Sequence, residues 1–296
     1  MTAVLEQPLT QPAPAPPAPV SSSRFVAGWV LLSVSVLALF AVVFGTLLSG
    51  VQERSSQRRL YSQLREGLAE ATVPVSGTIP EGRPVALLTV PQLGLRAVVV
   101  EGTTGRDLRA GPGHRRDTVL PGQVGVSVLY GRSVSYGHPF GDLASLKPED
   151  ALTVVTGQGT FHYQVERVRR PGQPLPPALA TGRSRLVLAS YESSGWRSGW
   201  APQSPVYVDA LLVGTAQPAA AGRQQVSRAE QLGGTDTGSL VLVVMWLQGL
   251  LLALLGLVWA TQRWGRWQAW VAGLPVVLAL VWGSVDAAAA VLPNVL

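Results

Sequence analysis

The sequence predicts a mainly β domain of seven or eight short strands, a closed barrel or a sandwich, set between three transmembrane α-helices. Three observations carry that prediction. Hydrophobic residues make up 47% of the 296-residue chain and charged residues 14%, too apolar a balance for a plain soluble protein. The apolar excess is concentrated in three runs of roughly bilayer-spanning length. Between the first and second runs lie short β-type segments punctuated by turn residues.

Residues 1–24 carry the tract QPLTQPAPAPPAPVSSS, whose proline and alanine content predicts a disordered tail of polyproline character. Phe25–Leu48 comes next with no charge, longer than a signal-peptide core and with no clean small-residue cleavage site, so it reads as an uncleaved transmembrane anchor. Residues 49–83 form a stalk and linker. Leu60, Leu64 and Leu68 repeat at helical spacing over Gln52–Ala71, and Thr72–Arg83 is rich in proline and glycine.

Residues 84–214 are the β domain. Its strand-like runs are VALLTV (85–90), RAVVVEG (96–102), GVSVLYG (125–131), ALTVVTG (151–157), GTFHYQVERV (159–168), RLVLAS (185–190) and VYVDALLV (206–213). The TGQGT turn joins the fourth to the fifth, in which Phe161, Tyr163 and Val165 alternate with polar residues. Pro171–Gly182 is a long loop. Residues 215–238 read as a second linker. The runs at 239–261 and 267–292 are the further transmembrane helices, the last broken by Pro275 and containing Asp286.

The short turn between the last two runs holds Arg263 and Arg266 and no acid, which places it and residues 1–24 in the cytoplasm and the β domain outside the cell membrane. Arg54, Arg58, Arg59 and Arg65 after the first run argue the other way, but long domains translocate largely regardless of charge. The formal net charge is +6, spread as arginine over most regions without a dense patch, so no nucleic-acid partner is expected. The chain has no cysteine, which excludes disulfides and thiol chemistry. No metal-ligand spacing, phosphate loop or cofactor fingerprint appears in the sequence, and no cofactor or metal is expected.

Three stretches together carry a family resemblance. LTVPQLG followed by AVVVEGT and LRAGPGHRRDTVLPGQVG is the first. SVLYGRSVSYGHPFGDLASLKPED is the second, and LVLASY the third. In this order and spacing they resemble the sortase family, the membrane-anchored cysteine transpeptidases of Gram-positive bacteria, in its actinobacterial class E-like branch. The likeness covers roughly residues 84–214 and implies a closed β-barrel of seven to eight strands. It also implies a site in which a cysteine attacks a sorting-signal peptide, a histidine handles the leaving-group proton and an arginine steadies the oxyanion.

Residue by residue, the resemblance puts Arg132 at the histidine, Tyr191 at the cysteine with Ser190 before it, and Pro205 at the arginine, or Ser204 if the register slips by one. All three catalytic positions are substituted, so no sortase catalysis is expected. A residual groove would be lined by Arg132, His138, Ser190, Tyr191 and Arg197. Glu192 could pair with Arg132 and Arg197 across it, and Trp196 and Trp200 could bind a peptide or pack the loop. A replacement chemistry would need Ser190, Ser193 or Ser194 beside a histidine, because a serine must lose its proton to a nearby base. His138 is the histidine expected nearest the site. His114 lies in the Gly-Pro-Gly-His loop and His162 on a pleat face. Asp286 reads as a helix-packing or wetted position near the outer membrane interface.

Two function classes fit these residues. The first is a non-catalytic accessory that binds a sorting-signal-like peptide, a surface protein or an active sortase. The second is a divergent serine acyltransferase or hydrolase. A barrel acting as a spacer, with the membrane helices making the contacts, is a third possibility.

Overall fold

The computed structural model describes residues 49–192, 204–219, 224–236 and 238–295, together with Ser35 and Phe40. Residues 1–40 and 41–296 form two units, and the barrel and every helix named below belong to the second.

Eight strands close into a barrel. They are β1 (Pro84–Val90), β2 (Leu95–Glu101), β3 (Gly113–His114), β4 (Gly125–Tyr130), β5 (Ala151–Thr156), β6 (Gly159–Arg169), β7 (Ser184–Tyr191) and β8 (Pro205–Val213). The order around the wall is β1-β2-β3-β4-β7-β8-β6-β5. Two pairings are parallel, β2 with β3 and β4 with β7, and the other neighbours run antiparallel. Of the two expectations, barrel or sandwich, the barrel forms. Closure removes the exposed edges that so many short strands would otherwise present.

Alternation fills the barrel. On β6, Phe161, Tyr163 and Val165 point into the core while His162 and Gln164 are exposed. Leu88 and Val90 of β1, Leu129 of β4, Leu152 and Val154 of β5, and Val206 and Val208 of β8 join them. Leu186 and Leu188 bring the inner face of β7 into the same core. Gly131 continues β4 without a side chain because a Cβ there would run into the Phe140 ring, which is itself fully buried.

Helix α1 (Ser49–Ala69) packs on the outside of the wall. Leu60 and Leu64, on one face at four-residue spacing, bury against Val73, Val98 and Val100. Gln57 locks the register. Its amide donates to Val98 O (3.1 Å) and Ala110 O (2.7 Å) and accepts from Val98 N (2.7 Å).

Helices α2 (Ser239–Arg263) and α3 (Arg266–Val291) form an antiparallel hairpin turning at Trp264–Gly265. Glycines let them approach: a Cβ at Gly283 would strike the Trp246 ring, and one at Gly273 would strike Leu257. Their outer faces leave Leu242, Leu251, Leu255, Val271 and Val276 exposed, which suits a lipid surround and would be costly in water.

The structure bears on two further expectations. Among the described residues two helices, not three, are long and apolar enough to cross a membrane. The first run, 25–48, lies outside the described residues apart from Ser35 and Phe40. The description "mainly β" holds for the barrel; among the described residues helix takes 37% and strand 25%, because α1 and the hairpin are long.

Candidate functional site

The end of β7 lies between β4 and β8, with Tyr130 opposite Ala189 and Tyr191 opposite Pro205. Strand periodicity splits its side chains. Leu186, Leu188 and Ser190 share one phase, and Ala189 and Tyr191 the other. Ser190 is fully buried and its hydroxyl donates to Gly131 O at 2.7 Å. It is therefore not a groove residue, a correction that the Leu186–Leu188–Ser190 phase already contained.

The outer phase builds a different surface. Ala189 and Tyr130 form a buried apolar cluster with Leu108 and Val295, bordered by Val128, Tyr191, Tyr207 and Leu232. Tyr191 stands where the resemblance places the nucleophile. Its hydroxyl lies against Gly233, whose φ of +76° and lack of Cβ both matter, since a side chain there would collide with the phenol. Pro205 ends the neighbouring strand opposite Tyr191, and Ser204 is exposed just before it.

Arg132 comes directly after β4 and Gly131 and is 1% exposed, not displayed on a groove surface. Its guanidinium donates to Gly105 O (2.9 Å) and Ser135 Oγ (2.9 Å) and lies 4.7 Å above the Tyr136 ring. Burial lowers its pKa to about 10, partly offset by Tyr136 and Asp286, so it keeps its charge at neutral pH. Asp286, near the end of α3, receives a salt bridge from Arg109 Nη1 (2.8 Å) and a hydrogen bond from the Tyr136 hydroxyl (3.3 Å). One carboxylate from the hairpin thus draws Arg109 and Tyr136 of the barrel together beside Arg132. Asp286 is a docking residue between α3 and the barrel, where the sequence suggested helix packing or a wetted position.

Of the pairing expected across the groove, the Arg197 arm lies outside the described residues. Glu192 binds Arg170 (2.8 Å), an exposed pair that adds little stability, and this hydrogen-bonded arginine holds the Glu192 carboxyl below its ordinary value. Arg197, Trp196, Trp200, Ser193 and Ser194 lie outside the described residues.

Each histidine has its own setting. His138 is exposed in the turn before Pro139, at φ +39°, and among the described residues its ring makes no hydrogen bond with a serine. His162 is exposed on β6 beside Thr153 Oγ1 (3.3 Å). His114 is buried between Glu101 Oε2 (2.8 Å) and Val119 O (2.9 Å). Thr118 Oγ1 approaches the same ring nitrogen at 3.2 Å, but that nitrogen faces a carbonyl and must carry hydrogen. It cannot accept the Thr118 proton, so Thr118, His114 and Glu101 form a structural network, not a nucleophile–base pair.

Sequence reasoning missed the material that covers the Tyr191 surface. The linker 215–238 is in part a built element. Ser227 and Glu230 make a capping box on a short 3-10 turn, Arg228–Glu230. Glu230, 1% exposed, receives Arg116 Nε at 2.7 Å, and Thr103 Oγ1 donates to the Glu230 carbonyl at 2.7 Å. Burial works against the Glu230 charge, but Arg116 and the Ser227 amide overcome it and hold the carboxyl below its ordinary value.

Leu292–Val295, at the end of α3, then enters beneath this turn. Asn294 and Val295 are fully buried. The Asn294 amide donates to Thr103 O (2.7 Å), Gln231 O (2.9 Å) and Ala229 O (3.2 Å) and accepts from Gly233 N (2.9 Å). Its backbone N–H donates to Gly234 O (3.0 Å), and Val295 O receives Ser133 N (2.9 Å) and Ser133 Oγ (3.1 Å). No periodicity or turn signal in the sequence marks these residues.

With this geometry in view, residues 88–188 match the family described as the Sortase domain. Sortase D of Bacillus subtilis (strain 168) is 28% identical over 88 residues, 30% of this chain and 43% of that protein. Sortase SrtE1 of Streptomyces coelicolor is 26% identical over 160 residues, 52% of this chain and 45% of that protein. The chain thus spans less than half the length of either curated relative. Among solved structures, sortase E from Streptomyces avermitilis is 28% identical, covering 47% of this chain and 93% of that chain at TM-score 0.39. A Clostridium perfringens Sortase D5 transpeptidase is 18% identical, covering 55% and 99% at TM-score 0.43.

Proposed function

From a sortase domain at residues 88–188 in a chain without any cysteine, we propose a non-catalytic accessory of cell-surface protein anchoring. The barrel binds a sorting-signal-like peptide, a surface protein or an active sortase, on the outer side of a Gram-positive, actinobacterial cell membrane. The α2–α3 hairpin crosses the bilayer with the Arg263–Arg266 turn in the cytoplasm. The observation that carries the reading is the missing thiol. Sortase-type acyl transfer needs an activated nucleophile, and here the matching position is Tyr191. The surface around Tyr191, apolar and lined by Tyr130 and Tyr207, supports peptide contact in place of chemistry.

A photo-crosslinking amino acid at Tyr191 in the full chain, expressed in its own cell envelope, tests this. The expected adduct is an envelope-anchored surface protein or an active sortase, identified by mass spectrometry. An adduct pattern identical to that from exposed Leu175, in the loop between β6 and β7, removes the reading.

A further inference from the structure

We propose that the Tyr191 surface is a peptide site selective for asparagine followed by a β-branched apolar residue, and that Pro293–Val295 occupies it as a tethered ligand. The proposal rests on the reading of the groove as a binding site and names what it binds.

The contacts of Leu292–Val295 are those of a ligand in a formed site. Five hydrogen bonds converge on Asn294, three of them from its amide to the carbonyls of Thr103, Ala229 and Gln231. An aspartate there would turn a donor into an anion facing those oxygens, and an alanine would leave carbonyls and the Gly233 N–H without their partner. Val295 inserts among Leu108, Tyr130, Ala189 and Tyr191, and its carbonyl is held twice by Ser133. The recognising groups come from the loop after β2, the loop after β4, β7 and the turn at Arg228–Glu230. The chain brings them together around a four-residue segment that has no regular structure of its own. Its own tether is α3, docked to the barrel through Asp286 and Arg109. A tethered ligand competes with free peptide at a local concentration in the millimolar range. Access by another peptide then depends on α3 releasing the segment, which couples the groove to the membrane hairpin.

The test uses the full chain in lipid nanodiscs and a fluorescein-labelled peptide, VLPNVL, copied from residues 291–296. Fluorescence anisotropy should show N294D binding the peptide at least about tenfold more tightly than the native chain. The same peptide with alanine in place of asparagine should bind neither. Equal binding to both chains, or none to N294D while hydrogen exchange shows the segment released, overturns the proposal.

Should N294D fail to fold, the cysteine-free background allows a second readout. Ser133 N donates to Val295 O at 2.9 Å, so the two thiols of the pair S133C/V295C stand on hydrogen-bonded backbone segments within reach of a short bis-thiol crosslinker. Excess peptide should slow that crosslink about tenfold and the alanine peptide should not; equal rates with both peptides overturn the proposal. None of these measurements needs a surface protein, so their failure leaves the accessory reading standing. Failure to capture a surface protein likewise leaves the tethered ligand standing.

Discussion

The two faces of β7 are built by different means. The inner face, Leu186, Leu188 and Ser190, is covered by neighbouring strands of the barrel, in register and within a regular ladder. The outer face, Ala189 and Tyr191, is covered by Val295 and Leu232, brought from more than 40 positions away along the chain. The inner cover is apolar packing that alternation alone specifies. The outer cover is held largely by side-chain amide and carboxylate groups satisfying backbone carbonyls and arginines. Packing of the first kind is global and cooperative. A cover of the second kind can open locally without unfolding the barrel.

The largest expected effect comes from damaging the inner face. L188A leaves a cavity beneath β7 and should cost about 2–5 kcal/mol of global stability. Denaturant unfolding should shift its midpoint with an unchanged slope. If hydrogen exchange increased at residues 292–295 and not along the strands, the contrast between the faces would be lost.

D286N comes next and acts on the outer cover. It leaves Arg109 and the Tyr136 hydroxyl without the carboxylate, at about 1–3 kcal/mol. Exchange should rise at Asn294 and the end of α3 while the barrel midpoint stays near that of the native chain. A fall of the barrel midpoint as large as that of L188A would contradict the division.

A smaller effect is expected from pH. Burial raises the Glu53 carboxyl from 4.5 to about 7 and the Asp107 carboxyl from 3.8 to about 6. Between those ordinary and raised values the folded chain holds protons that the unfolded chain has released. Stability from these groups therefore falls as pH rises from about 4 to about 7. The depressed Glu230 works in the opposite sense, losing its contribution as pH falls through its folded value. E53Q with D107N should flatten the falling limb of a melting-temperature profile in that window; an unaltered profile would show that these two carboxyls do not set it.

The smallest expected signal is none. A fluorophosphonate probe should leave the folded chain unlabelled, because Ser190 is buried with its hydroxyl given to Gly131 O. Labelling abolished by S193A would reopen a serine chemistry.

The barrel wall was legible because its signals are local. Alternating runs between turn residues placed seven strands within a residue or two of where they lie, from β1 at Pro84–Val90 to β8 at Pro205–Val213. β3, two residues long, has no pattern to read. At the site, the resemblance put Tyr191 at the nucleophile's position, while the directions of side chains were only partly legible in the sequence. Ser190 could have been assigned inward from its phase with Leu186 and Leu188. The burial of Arg132 could not, since it depends on Gly105 O and on Asp286, far along the chain. Ser227 and Glu230 stand at capping-box spacing, but neither the pairing of Glu230 with Arg116 nor the role of Asn294 has a local signal. Their meaning lies in carbonyls and an arginine at Thr103, Arg116 and Ala229 that folding brings to them.

Hydrogen exchange on the full chain in a lipid bilayer, read at Asn294 and Val295 in the native chain and in N294A, tests the central claim most directly. Slow exchange at both positions in the native chain, lost in N294A while β7 stays protected, is the result the tethered cover predicts. Fast exchange at Asn294 in the native chain would contradict it, because amides engaged with Gly234 O and packed beneath the Arg228–Glu230 turn should be shielded from solvent.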